Sequence, residues 1–230
     1  RMGGSGRAGE VMSRYFSRVR LAARAHQQRW LRDLARHGEA YRDHALIWKL
    51  FPGDGLSRDF VFRSLAEQRL YYVVSARPAV PQAGLLEVQS KPYEPHVESG
   101  EFLHFDLRVN PTVSQRVEGG RSQRHDVLMH AKRLTVPGEG RLAAVEAAGR
   151  DWIVDRANNW GLDVNVDALL QSGYCQHRLR HKGRRIEFSS LDFQGLARVT
   201  DPERLRRALL DGVGHAKAFG CGLLLVRRMS

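Results

Sequence analysis

Residues Tyr15–Leu21 alternate well enough for a strand, with Phe16 and Arg18 as its imperfect positions. A polar, Arg-rich helix is expected over about 25–36, interrupted by His37-Gly38, and a second over about 39–50. The breaker cluster Phe51-Pro52-Gly53-Asp54-Gly55 closes it. Residues 59–64 and 69–75 read as strands, joined by the short Ala66-Glu67-Gln68 connection. Pro78 and Pro81 punctuate the chain, 85–88 is a weak strand, and Pro92 and Pro95 mark a linker.

The second half repeats the theme. Along Phe102–Val109, Leu103, Phe105, Leu107 and Val109 share one face, while Phe102, His104, Asp106 and Arg108 share the other. A polar excursion over about 113–127 contains Gly119-Gly120. A helix over about 141–160 carries the stripe Leu142, Val145, Gly149, Trp152, Ile153 and Trp160. Strands are expected at 173–179, 185–190 and 193–199, and a last one at 222–227. Asp201-Pro202-Glu203 is a helix start: Asp caps, Pro takes the first helical position, and Glu faces the positive end of the dipole. Leu205, Ala208 and Leu209 would then face the core. Strand–helix–strand–strand–helix–strand units make ferredoxin-like folds. The expectation is an α+β chain of two tandem ferredoxin-like (RRM-like) domains, 12–98 and 99–230, without a residue-level repeat. The Gly-rich residues 1–11 are set aside as a tag or disordered arm, with Met12 as the natural start.

Charge changes the picture more than composition does. There are 37 Lys and Arg against 25 Asp and Glu, a formal charge of +12, so a polyanion is the expected partner. With 42% hydrophobic residues the chain is a folding one, and no run approaches the ~18 apolar residues that a spanning helix needs. Composition alone does not separate a nucleic acid from a membrane surface as that polyanion; no membrane partner is expected once the motifs below are added. Two cysteines, Cys175 and Cys221, are too few for a disulfide scaffold or a Cys-based zinc site. No charged-then-apolar segment opens the chain, so a reduced, cytoplasmic protein is expected.

Two segments concentrate candidate chemistry. Arg178, Arg180, Lys182, Arg184 and Arg185 fall within eight positions, and no acid occurs from Gln171 to Ile186. His181-Lys182-Gly183 reads as a hairpin tip whose splayed cations can straddle phosphates; a hairpin kept soluble by its charge is the alternative. A looser patch holds Arg116, Arg121, Arg124, Lys132 and Arg133, broken by Glu118 and Asp126. The second segment, residues 212–222, has Gly212, Gly214, Gly220 and Gly222 around Lys217. Its amides could cradle a phosphate beside the Lys217 charge, or it could be a helix C-cap with a tight turn. It is neither a Walker A loop nor a dinucleotide fingerprint.

The run G-V-G-H-A-K-A-F-G-C-G-L-L closely resembles the C-terminal glycine motif of the CRISPR-associated repeat-RNA endoribonucleases, most of all their CasE branch. Gly212, Gly214, Lys217, Gly220, Gly222, Leu223 and Leu224 meet its fixed positions. Tyr41-x-x-His44 before Trp48-x-Leu50-Phe51 resembles that family's catalytic helix. Arg58-Asp59-Phe60-Val61-Phe62, Phe105-x-Leu107-Arg108-x-Asn110-Pro111 and Phe193-x-Gly195-x-x-x-Val199 resemble later segments, in order. One departure is the expanded basic stretch before Tyr41.

The resemblance implies a metal-independent endoribonuclease without cofactors. It would cut CRISPR repeat RNA at the base of a stem-loop and stay with the hairpin beside other Cascade subunits. His44 and Tyr41 would be catalytic. Lys217, Arg178, Arg180, Lys182, Arg184, Arg185, Arg108, Gly214, Gly220 and Gly222 would bind RNA. The residues suit that chemistry: Tyr41 and His44 share a helix face, and a histidine exchanges protons near neutral pH. A solubilising histidine beside Asp43 is the alternative for His44. No histidine set has ligand spacing on a helix, and no carboxylate set suits a metal site. The four tryptophans are expected in packing roles. Two competing functions stay open: a non-catalytic double RRM-like module, and a structural RNA-protein subunit similar to a ribosomal protein. Against the first, adjacent Tyr71 and Tyr72 face opposite ways and make a poor stacking platform.

Overall fold

The computed structural model describes residues 13–53, 55–115, 123–138, 140–181 and 184–229. The expected arm at 1–11, Gly119-Gly120, Arg116, Arg121 and the tip residues Lys182 and Gly183 lie outside the described residues.

Strand β1 (Tyr15–Leu21) leads into helices α1 (Arg29–Ala35) and α2 (Glu39–Trp48), then strands β2 (Phe60–Leu65), β3 (Leu70–Ser75) and β4 (Leu86–Pro92). These strands form one antiparallel sheet in the order β2-β3-β1-β4. That is the ferredoxin-like order, but residues 76–85 cross from β3 to β4 without a helix. The expected helix over 25–36 is split, with a 3₁₀ turn at Ala25–Gln27 before α1. The weak strand at 85–88 is in fact a seven-residue strand reaching Pro92.

The second unit begins with β5 (Phe102–Val109). The excursion that follows contains a small hairpin, β6 (Thr112–Gln115) with β7 (Gln123–Asp126), and helix α3 (Val127–Leu134). Helix α4 (Gly140–Asn159), β8 (Leu162–Val164), β9 (Leu170–His181), β10 (Arg184–Val199), α5 (Pro202–Asp211) and β11 (Leu224–Arg228) complete it. The order β11-β5-β10-β8, with β9 on β10, is the same ferredoxin-like order with a broken second strand. The two strands expected at 185–190 and 193–199 are one, because the register only shifts between Ser190 and Asp192. Its first seven residues, 184–190, pair with β9 alone and extend as a two-stranded ribbon beyond the sheet.

Local signals decide the element ends. Asp201 accepts from the Arg204 amide (3.0 Å), Pro202 opens α5, and Gly212 closes it at φ +68°. Leu205, Ala208 and Leu209 are buried as their spacing requires. In α4 the stripe buries Gly149, Trp152 and Ile153, but Leu142, in the first turn of the helix, is 70% exposed.

Each sheet buries one face under its own helices. Val19, Leu46, Ile47, Phe51, Phe62 and Val73 fill the first core; Leu103, Phe105, Leu107, Ile153, Phe193 and Leu209 fill the second. The other faces meet. Val61 and Val74 from the first sheet close on Leu223, with Phe16, Tyr72, Tyr93 and Leu225 around them. Tyr71 and Tyr72 accordingly enter different clusters. Among the described residues no helix is long and apolar enough to cross a membrane.

Candidate active site and RNA interface

Helix α2 has two working stripes. Ala40, Asp43, Leu46 and Ile47 are buried against the first sheet. Asp43 is a carboxylate in that stripe, and it is satisfied rather than solvated. Tyr71 donates its hydroxyl to Asp43 at 2.8 Å, and Arg42 donates at 3.0 Å and 3.1 Å. Burial, then the Asp43 charge, pushes the Tyr71 phenol far above its ordinary range, so it remains a donor. The adjacent stripe carries Tyr41, His44 and Trp48, spaced three and four apart. Trp48 packs edge-on to Phe60, whose ring stacks on Phe51 (centroids 5.1 Å and 4.6 Å), which seats the helix.

His44 meets the glycine segment of the other unit. Its Nδ1 lies 2.9 Å from the carbonyl oxygen of Ala218, 174 residues away in sequence. A carbonyl only accepts, so Nδ1 carries the proton, and in the neutral imidazole the lone pair is on Nε2. The Tyr41 ring lies 6.3 Å from His44 and 5.4 Å from His37.

The loop that presents Ala218 is held by its glycines. Ala216 and Gly220 adopt φ +54° and +84°, flanking the 3₁₀ turn Lys217–Phe219. At Gly222, φ is +89° and an added Cβ would stand 2.2 Å from the Val213 carbonyl oxygen. No other residue fits there without moving the loop. Gly222 also donates its amide to the Arg108 carbonyl at 2.7 Å. Gly214 differs, since a Cβ there would meet nothing within 4 Å. It is the position where the backbone is open to a large ligand. Lys217 turns its ammonium inward, donating to the carbonyls of Asp211 (2.9 Å) and Gly212 (2.7 Å) at the end of α5. Burial, then repulsion from Arg58, lowers its pKa, and Asp211 partly offsets them. The cation thus neutralises a helix C-terminus before it can meet any ligand.

An aromatic series the sequence did not reveal extends from this point. Phe219 lies 5.2 Å from His44 and stacks on Phe188 at 5.2 Å; Phe188 stacks on His177 at 4.5 Å. The β9–β10 ribbon is thereby joined ring by ring to the histidine of α2. Cross-strand pairing of His177 with Phe188 was the available signal, once the hairpin register is known. Burial, then the Arg108 charge, holds the His177 imidazole below its ordinary value, so it is neutral at pH 7.

The basic ribbon is more paired than its sequence window indicates. Arg178 and Arg185, 71% and 65% exposed, both reach Glu187, at 3.3 Å and 2.6 Å. Glu187 lies one residue past the acid-free window and directly opposite Arg178 in the ladder. The backbones of Arg180 and Arg184 lie near the ribbon end, paired to Arg185 and His181. Arg108 faces the intersheet side, where its fork donates twice to Asp192 at 2.7 Å. Tyr41, His44 and the turn of Lys217 and Gly220 are therefore brought to one site, with Gly214 and Gly222 in the loop that carries the turn and the ribbon beside it. Arg108 lies behind the loop. Among the described residues no three His, Cys, Asp or Glu side chains are grouped to hold a metal.

The profile of the family described as CRISPR associated protein matches residues 14–228. The chain is 28% identical over 219 residues to the CRISPR system Cascade subunit CasE of Escherichia coli, covering 91% of this chain and 97% of that one. It is 27% identical over 192 residues to the CRISPR-associated endoribonuclease Cse3 of Thermus thermophilus, covering 79% of each. Its fold is similar to that of Thermus thermophilus Cse3 bound to an RNA representing a pre-cleavage complex, with TM-score 0.67 at 24% identity over 94% of this chain and 99% of that one. With the profile spanning both sheets, the α2 helix and the glycine loop, the chain belongs to the CRISPR-associated protein family and is of the CasE type.

Proposed function

We propose that this protein is an endoribonuclease that cuts CRISPR repeat RNA at the base of a stem-loop and remains on the product hairpin as a Cascade subunit in the cytoplasm. The observation that carries the reading is the Nδ1 contact of His44 with the Ala218 carbonyl, which leaves one defined nitrogen for proton transfer. The relatives named CasE and Cse3 support the substrate class and the assembly.

The reaction needs no group from outside the chain. The RNA 2′-hydroxyl loses its proton, its oxygen bonds to the adjacent phosphorus, and the P–O5′ bond breaks as the 5′-oxygen takes a proton. The products are a 2′,3′-cyclic phosphate and a 5′-hydroxyl. His44 Nε2 moves one of those protons, as base or as acid, and general acid–base catalysis of this kind is worth roughly 10²–10⁴-fold. The Tyr41 hydroxyl orients the phosphate or the attacking hydroxyl. The open backbone at Gly214 receives the RNA chain. Gly220, Gly222 and Lys217 hold the loop in shape next to the phosphate, and the Lys217 charge adds to the local positive field. The cations Arg178, Arg180, Lys182, Arg184 and Arg185 meet stem phosphates, since A-form RNA is read largely by shape and backbone. On binding, phosphates replace Glu187 as the partner of Arg178 and Arg185. Arg108 supports the loop from behind, near the RNA without being its first contact.

Incubating the protein with a repeat stem-loop RNA in EDTA and analysing the product ends tests this. The expected products are a cyclic phosphate and a 5′-hydroxyl at one position. Replacing the 2′-hydroxyl before the cut with hydrogen should stop cleavage and preserve binding. Cleavage of that deoxy substrate, or a requirement for added metal, would overturn the mechanism.

A further inference from the structure

His44 and Ala218 belong to different halves of the molecule, so their 2.9 Å contact is only as well defined as the fit between the halves. The apolar part of that fit, Val61 and Val74 against Leu223, has no preferred direction. Between the same sheets lies a set of charges that does. Arg63, on β2 and only 4% exposed, donates to Asp192 on β10 at 2.8 Å and to Asp106 on β5 at 3.2 Å. Asp192 also takes both prongs of Arg108. Two guanidinium forks and two carboxylates cancel in charge, and forked contacts fix angle as well as distance.

Strand β2 stands under the glycine loop at each successive residue. Val61 lies where a Cβ on Gly212 would meet it at 2.9 Å, and the Phe62 ring where one on Gly220 would meet it at 3.2 Å. The next residue is Arg63. From there the path returns to the loop through Asp192 and Arg108, whose carbonyl takes the Gly222 amide. On the other side β2 carries Phe60, against which Trp48 of α2 packs. One strand therefore bears both partners of the His44 contact.

The geometry points to Arg63, Asp192 and Arg108 as positioning residues: a charged clamp between the sheets that sets the Ala218 carbonyl against His44 and so fixes which imidazole nitrogen reacts. This rests on the proposed role of His44 in proton transfer. Buried ion pairs are weak evidence for stability and serve better as registers of geometry. A misplacement of about 1 Å at a reacting centre costs on the order of 10²-fold, so a clamp that slips should slow the chemistry before it weakens binding.

The test uses the full chain with Arg63→Lys and Asp192→Asn, read in three ways. Single-turnover cleavage at saturating RNA should fall on the order of tenfold or more, while RNA affinity changes less than about twofold because neither side chain meets RNA. The ring-nitrogen NMR signals of His44 in the RNA-free protein should lose the uniform Nδ1–H tautomer. If Arg63→Lys does not fold, Arg108→Lys at the more exposed end of the clamp takes its place, and it should follow the same pattern. A changed salt dependence of binding in that variant would make Arg108 an RNA contact instead and remove it from the clamp. Variants that merely melt earlier, with cleavage and tautomer as in the unmodified protein, would overturn the proposal. The tautomer readout is independent of activity. A tautomer shifted in the variants, when the unmodified protein itself cuts no RNA, would refute the nuclease reading and leave the clamp standing, whereas an unshifted tautomer would refute the clamp even if His44 proved catalytic.

Discussion

The stripe of α2 that bears His44 and the ribbon of β9 and β10 meet through one aromatic series, yet they solve opposite problems. The first is limited by geometry. One imidazole, half-buried, is tied through Nδ1 to a carbonyl from the other unit, so the proposed proton transfer falls to its other nitrogen. The second is limited by charge. Arg178 and Arg185 are mostly exposed and share one carboxylate, so their positions are loose and their value lies in adding to the charge. Chemistry should therefore fail when the first region moves by a small distance, and binding should weaken in proportion to cations removed from the second.

The largest expected effect is on the first region. His44→Ala should slow single-turnover cleavage by roughly 10²-fold or more, with RNA affinity close to unchanged, because one neutral imidazole adds little to polyanion binding. Gly222→Ala breaks the support from below: its Cβ would meet the Val213 carbonyl at 2.2 Å from a backbone at φ +89°. Strain of this kind costs on the order of 1–3 kcal/mol, read as a lower melting temperature together with slower cleavage. If cleavage held while stability fell, the loop would not be what positions His44. On the ribbon side, changing Arg178, Arg180 and Arg185 to Ala should reduce the slope of log K against log salt by about 0.7–0.9 for each lost phosphate contact. Glu187→Gln should tighten binding at low salt, since it releases two cations from a competing acid; an unchanged affinity would mean those cations do not meet RNA.

The smallest effect is a pH dependence of stability. Burial keeps His177 neutral in the fold, with a pKa below its ordinary 6.5. The unfolded chain then binds the proton first, so stability falls as pH drops through that value toward the lowered folded pKa. His177→Phe should flatten that decline in thermal melts between about pH 7.5 and pH 5.5, one unit either side of the unfolded histidine value, and preserve the stack on Phe188.

What the sequence made readable follows from how local each signal is. Period-two alternation located β5 to the residue, and the Asp-Pro-Glu start located α5. The glycine motif marked the loop because positive φ leaves a direct imprint on composition. Elements without such an imprint were missed: β8 has three residues, and the β6–β7 hairpin is almost entirely polar. At the candidate site, Tyr41, His44 and the loop could be named from spacing and resemblance. Asp192 could not, because its partners Arg108 and Arg63 are 84 and 129 residues away. Lys217 illustrates a subtler limit. A lysine among glycines reads as a phosphate ligand, but its ammonium is taken up by the end of its own preceding helix.

One experiment separates the two regions most directly: single-turnover cleavage across a full RNA titration, run in EDTA on His44→Ala and on the Arg178, Arg180 and Arg185 triple alanine variant side by side. The account predicts crossed results. His44→Ala should keep its half-saturation point and lose its plateau rate by roughly 10²-fold, while the triple variant should shift its half-saturation point and keep a plateau near that of the unmodified protein. A plateau retained by His44→Ala, or lost only in the triple variant, would contradict the assignment of chemistry to α2 and of binding to the ribbon.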